Sequence, residues 1–127
     1  MYKGINQYRQ IDTETAVHNA SPHRLIQMLF EGALKSVTAA KGAMDNGSPA
    51  QLGEHIKKAA TIIAGLEEGL DKENGGELAE NLERLYQHAQ DTLVLAQSEK
   101  SVAKLDQVTA ILLELKSGWD QVAPSAD

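Results

Sequence analysis

The chain has 127 residues, which suits one domain burying a core of about two-thirds of its unfolded surface. A net charge of −6 with no basic block argues against a nucleic-acid partner, because phosphate binding needs a basic face. Cysteine is absent, which excludes disulfides and thiolate metal sites, and aromatics make up only 4%, a balance that favours helices over strands.

The first stretch, M-Y-K-G-I-N-Q-Y, lacks an apolar run long enough for a secretory signal. Nowhere does the chain approach about eighteen consecutive apolar residues, so no membrane insertion is expected and the chain reads as soluble and cytoplasmic. Residues 1–20 place Tyr2, Ile5, Tyr8, Ile11 and Val17 in a polar setting, a segment too short to fold alone. They form an N-terminal arm that is either a tail or a cover for part of the remaining chain.

Beyond the arm, residues 21–122 are expected to form one bundle, with 123–127 as a tail. Ser21-Pro22 and Ser48-Pro49 are helix starts, since serine caps orphan N–H groups and proline at the first helical position has no N–H to lose. Asp45 to Ser48 (D-N-G-S) closes the helix before it, and Glu73 to Glu77 (E-N-G-G-E) makes a third break. A softer lapse in apolar spacing around Ser98 to Ser101 is either a turn or a kink. The expected helices are therefore about 22–45, 49–71, 76–98 and 101–121.

Each carries an apolar arc at helical spacing. Ile26, Leu29, Phe30, Ala33, Val37, Ala40 and Met44 line the first, and Leu52, Ile56, Ala59, Ile63, Leu66 and Leu70 the second. Leu78, Leu82, Leu85, Ala89, Leu93 and Ala96 line the third, and Leu105, Val108, Leu112, Leu115, Trp119 and Val122 the fourth. Four such helices of about 35 Å joined by short turns predict an all-α, antiparallel up-down-up-down four-helix bundle.

The arcs leave a surplus. Leu25 and Met28 sit on one shoulder of the first helix and Leu34 on the other. Ile62 flanks the second arc, Val94 and Leu95 lie off the third, and Leu113 lies off the fourth. A wider buried arc would absorb single shoulder residues, but the excess as a whole points to a partner filling grooves between helices.

Catalytic and metal chemistry find little support. A bundle di-metal centre needs inward Glu residues and Glu-x-x-His pairs, and none of His18, His23, His55 or His88 has Glu three positions before it. These histidines are expected at the surface, with no metal and no cofactor. Gly75 to Leu78 (G-G-E-L) lacks the lysine and the strand of a phosphate loop. The strongest enzymatic rival is histidine phosphotransfer: His55 to Gly65 (H-I-K-K-A-A-T-I-I-A-G) fits at His55, Lys58 and Ala60 but departs at Lys57 and Ala59. No catalytic residue is assigned.

Several blocks together resemble the flagellar secretion chaperone family, FliS. These are Y-x-Q around Tyr8 and Gln10, A-S-P-H-R-L-I-Q-M-L-F-E-G-A from Ala20, and G-L-x-x-G-L-D from Gly65 to Asp71. G-G-E-L-A-E-N-L-E-R-L-Y from Gly75 to Tyr86 and I-L-L-E-L-K-S-G-W from Ile111 to Trp119 complete the set. The match is collinear over nearly the whole chain. Phe30 stands where many members carry tyrosine, and His88 where an aromatic is common.

The resemblance implies a non-catalytic cytoplasmic chaperone. It would bind the C-terminal segment of flagellin, prevent its premature polymerisation and deliver it to the flagellar type III export gate. The anti-sigma factor of late flagellar genes is a further partner in some members. The resemblance also implies that the N-terminal arm covers part of the client surface when the client is absent, through Ile5, Tyr8, Gln10 and Ile11. The surplus apolar residues Leu25, Met28, Leu34, Ile62, Val94, Leu95 and Leu113, singled out by their spacing rather than by the family blocks, are expected to face flagellin.

Overall fold

The structure is a computed structural model that describes residues 20–122. Four helices follow in order: α1 (Pro22–Asp45), α2 (Pro49–Glu68), α3 (Lys72–Glu99) and α4 (Val102–Asp120). Each begins on a side chain that accepts the N–H three residues on, which satisfies a donor the helix itself cannot use. Ser21 accepts from the Arg24 amide at 3.1 Å and Ser48 from Gln51 at 3.4 Å, and in each case proline follows as the first helical residue. Asp71 accepts from Asn74 at 3.2 Å and Ser101 from Lys104 at 3.2 Å.

The stops are equally local. Gly47, at φ 65°, turns the chain out of α1 so that the Ser48 amide reaches back to the Ala43 carbonyl at 3.0 Å. Lys100 adopts the same left-handed conformation (φ 53°) after α3, and the Ser101 amide bonds the Ala96 carbonyl at 3.0 Å. The soft lapse at Ser98–Ser101 is thus a true turn. Two boundaries differ from expectation. Helix α2 ends at Glu68, because Gly69 and Leu70 already curl into the turn before Asp71. Helix α3 starts four residues early: one turn, 72–75, precedes the G-G break, and Gly76 at φ 56°, ψ −137° kinks the chain into the main helix.

Turns of two or three residues force consecutive helices antiparallel, and α1 packs back on α4 to close the ring. The fold is an all-α, up-down-up-down four-helix bundle. Its core is aliphatic with three larger rings, Phe30, Tyr86 and Trp119. At the seam between α1 and α2, a Cβ on Gly32 would lie 3.5 Å from Ile62 Cδ1, an ordinary van der Waals contact that places Ile62 against α1.

Polar pairs cross two of the other seams. Gln27 Nε2 donates to Asp120 Oδ1 at 2.8 Å and Lys41 Nζ to Asp106 Oδ1 at 2.7 Å, joining α1 to α4. Gln90 Nε2 donates to the Ala60 carbonyl at 2.8 Å and Gln87 Nε2 to Glu67 at 3.2 Å, joining α2 to α3.

Candidate functional site

The surplus apolar residues do not share one groove. Leu25 is fully buried and Ile62 is 5% exposed, so in this structure both pack with the core rather than line an open groove. Met28 and Leu34 are half-buried against the core. Val94, Leu95 and Leu113 are exposed, at 65%, 44% and 52%. They stand apart: Val94 lies on the α2 side of α3, in line with Gln87 and Gln90, and Leu95 lies on its outer face.

The helix register places Leu34 and Leu113 at the same level of the α1–α4 seam. Gln27, Leu34 and Lys41 recur every seven residues on α1, as Asp106, Leu113 and Asp120 do on α4. The two polar bridges fix these rows against each other, and midway between them the register sets Leu34 opposite Leu113. The result is a small apolar patch between two polar clamps. Ile5, Tyr8, Gln10 and Ile11 lie outside the described residues.

The larger feature is a groove of about 370 Å³ between the first half of α3 and the last turns of α4. Leu78, Leu82 and Leu85 form one wall, Leu115, Gly118, Trp119 and Val122 the other, and Phe30 and Tyr86 reach it from the core. Glu114 is its one charged lining residue among those described. Leu78, expected in the core, is instead 58% exposed at the groove mouth, while Leu82 and Leu85 are half-buried. Periodicity cannot separate such residues from core ones, because a groove between two helices is lined by the edges of the same apolar arcs. The signal available was the pair of glycine interruptions flanking the arcs, Gly75-Gly76 just before Leu78 and Gly118 just before Trp119.

One groove wall is held from behind. Trp119 Nε1 donates to the His23 carbonyl at 3.0 Å, and the two rings stack with centroids 5.1 Å apart and planes 20° from parallel. His23, expected at the surface, is only 6% exposed, because the α1 start and the α4 end close over it. Its Nδ1 has no hydrogen-bond partner among the described residues. Next to Trp119, the Asp120 carboxyl is held below the usual aspartate range, first by a hydrogen bond from Lys116 at 2.7 Å and then by one from Gln27.

Among the described residues no three His, Asp or Glu side chains gather as a metal cluster. His55 is half-buried on α2, and the depression beside it is lined by Glu54, Lys57, Lys58, Thr61 and Ile62 without the imidazole. No helix among the described residues is long and apolar enough to cross a membrane. The site offers an apolar trough with one acidic residue, suited to shape-matched binding.

Residues 4–126 match the family profile described as flagellar protein FliS. The chain is 47% identical over 121 residues to the flagellar secretion chaperone FliSB of Pseudomonas aeruginosa, covering 95% of this chain and 96% of that protein. It is 39% identical over 124 residues to the flagellar secretion chaperone FliS of Salmonella typhimurium, covering 97% and 92%. Against the flagellar secretion chaperone FliS of Bacillus subtilis it is 27% identical over 112 residues, covering 88% and 83%. With nearly its whole length aligned at these identities, the chain belongs to the FliS family of flagellar proteins.

Proposed function

We propose that this protein is a cytoplasmic flagellar export chaperone, a binding module without catalysis, that holds the C-terminal segment of flagellin. In this role it prevents premature polymerisation and hands the subunit to the flagellar type III export gate. The observation that carries the reading is the α3–α4 groove, whose apolar walls are those of a helix-in-groove binder. Flagellin termini pair through apolar heptads, so masking those faces holds the client apart from other copies while leaving it thin enough for a channel. Ordering the client costs several kcal/mol, so affinity requires a long contact.

The Leu34–Leu113 patch, Met28, Val94 and Leu95 supply that length beyond the groove. The anti-sigma factor of late flagellar genes is a second client candidate for the same apolar surfaces. Isothermal titration with the C-terminal segment of flagellin from the same cell tests the reading. Saturable one-to-one binding with a negative heat-capacity change is expected. Absence of heat and of co-elution from a folded protein would sink it.

A further inference from the structure

We propose that Gly118 is a specificity-determining residue of the α3–α4 groove. By presenting no side chain, it leaves a notch beside Trp119 that takes one bulky apolar side chain of the client helix. The inference rests on the groove being the client seat.

A glycine inside a helix weakens it, and the cost is normally explained by a backbone or packing demand. Gly47 and Gly76 have positive φ, and a Cβ on Gly75 would lie 2.6 Å from Ala79 Cβ. Gly118 has neither reason among the described residues: its conformation is helical and none of their atoms lies within 4 Å of a Cβ built on it. The fold does not require this glycine, yet it occupies the groove wall. Gly42 on α1 is equally unencumbered among the described residues and is absent from the lining of the α3–α4 groove, so an open helical glycine alone is not the sign.

The notch is bounded by Leu115 one turn back on α4 and by Val122 just past the helix end, with Leu82 and Leu85 across the groove. Trp119 is its fixed wall, because the indole is stacked on His23 and its N–H is spent on the His23 carbonyl. A rigid apolar notch costs little reorganisation on binding, so a leucine, methionine or phenylalanine fits it. A polar client side chain would lose hydration with no partner to replace it, and an acidic one would also meet Glu114.

Because the fold does not need the glycine, stability and affinity should move in opposite directions. Gly118→Ala and Gly118→Leu are compared with Gly42→Ala and the wild type, by thermal melting and by titration with the C-terminal segment of flagellin. Gly118→Ala and Gly42→Ala are each expected to raise Tm by roughly 2–4 °C. Gly118→Leu is expected to stay folded and bind the segment at least tenfold more weakly, Gly118→Ala to fall between, and Gly42→Ala to bind like the wild type. Unchanged affinity in Gly118→Leu, or an equal loss in Gly42→Ala, overturns the proposal while leaving the chaperone reading standing. Failure of the wild type to bind removes both.

Discussion

A buried indole needs a partner for its N–H, and Trp119 finds one in a backbone carbonyl, so that bond survives any side-chain change at residue 23. The stack does not. His23→Ala should destabilise the bundle by about 2 kcal/mol, read as a lower urea midpoint, whereas His23→Phe should recover most of the loss by restoring a ring. Asp120 makes a smaller contribution. Its pKa is depressed in the fold, so its stabilisation is present above the ordinary aspartate value and disappears as pH falls through the folded value. The Lys116–Asp120 pair is partly exposed, which limits the effect to about 0.5 kcal/mol. Asp120→Asn should therefore lower Tm slightly at pH 7 and match the wild type at pH 2, and a gap that persists at low pH would contradict this.

At the scale of an element, α3 is unusual in being two helical pieces joined at a glycine. The conformation of Gly76 is one that L-residues avoid, and a Lys72–Glu83 ion pair ties the leading turn to the main helix across it. The Glu83 carboxylate, through its hydrogen bond, holds the Lys72 ammonium above the usual lysine range. Gly76→Ala should cost about 1–3 kcal/mol, since none of the described residues obstructs the methyl and the backbone conformation is what is penalised. An unchanged denaturation midpoint would mean that the turn relaxes to another geometry. Because Leu78 lies two residues beyond the kink, the same change should also weaken client binding by moving the groove mouth.

For the whole molecule, the separation of core from groove predicts two opposite mutant phenotypes. Leu25→Ala should remove about 3 kcal/mol of stability and leave the affinity of the remaining folded protein near wild type, since Leu25 is fully buried. Leu78→Asp should leave the melting temperature within a few degrees and abolish flagellin binding, because it places a charge at an apolar mouth that must be desolvated. If Leu25→Ala weakens binding and Leu78→Asp does not, the client seat is on α1 rather than between α3 and α4. Deleting residues 1–17 addresses the arm. Competition with the client for apolar surface predicts higher flagellin affinity or lower solubility, no change in either would make the arm a simple tail, and weaker binding would mean that Tyr8 and Gln10 contact the client directly.

The sequence by itself determined the elements. Ser21-Pro22 and Ser48-Pro49 start helices by chemistry confined to a few residues, and a 3.6-residue repeat names the side chains around which a bundle closes. It did not determine which edges of those arcs are covered, because burial depends on how closely the neighbouring helix approaches. Ile62 is buried where it packs against Gly32 of α1 and Leu25 is fully buried, whereas α3 and α4 leave room between Leu78 and Val122. Nor could spacing place His23 under Trp119, a contact between residues 96 positions apart that exists only once the ring of helices closes. Local hydrogen bonding is written residue by residue, but the distance between two helices is set by every side chain in the seam.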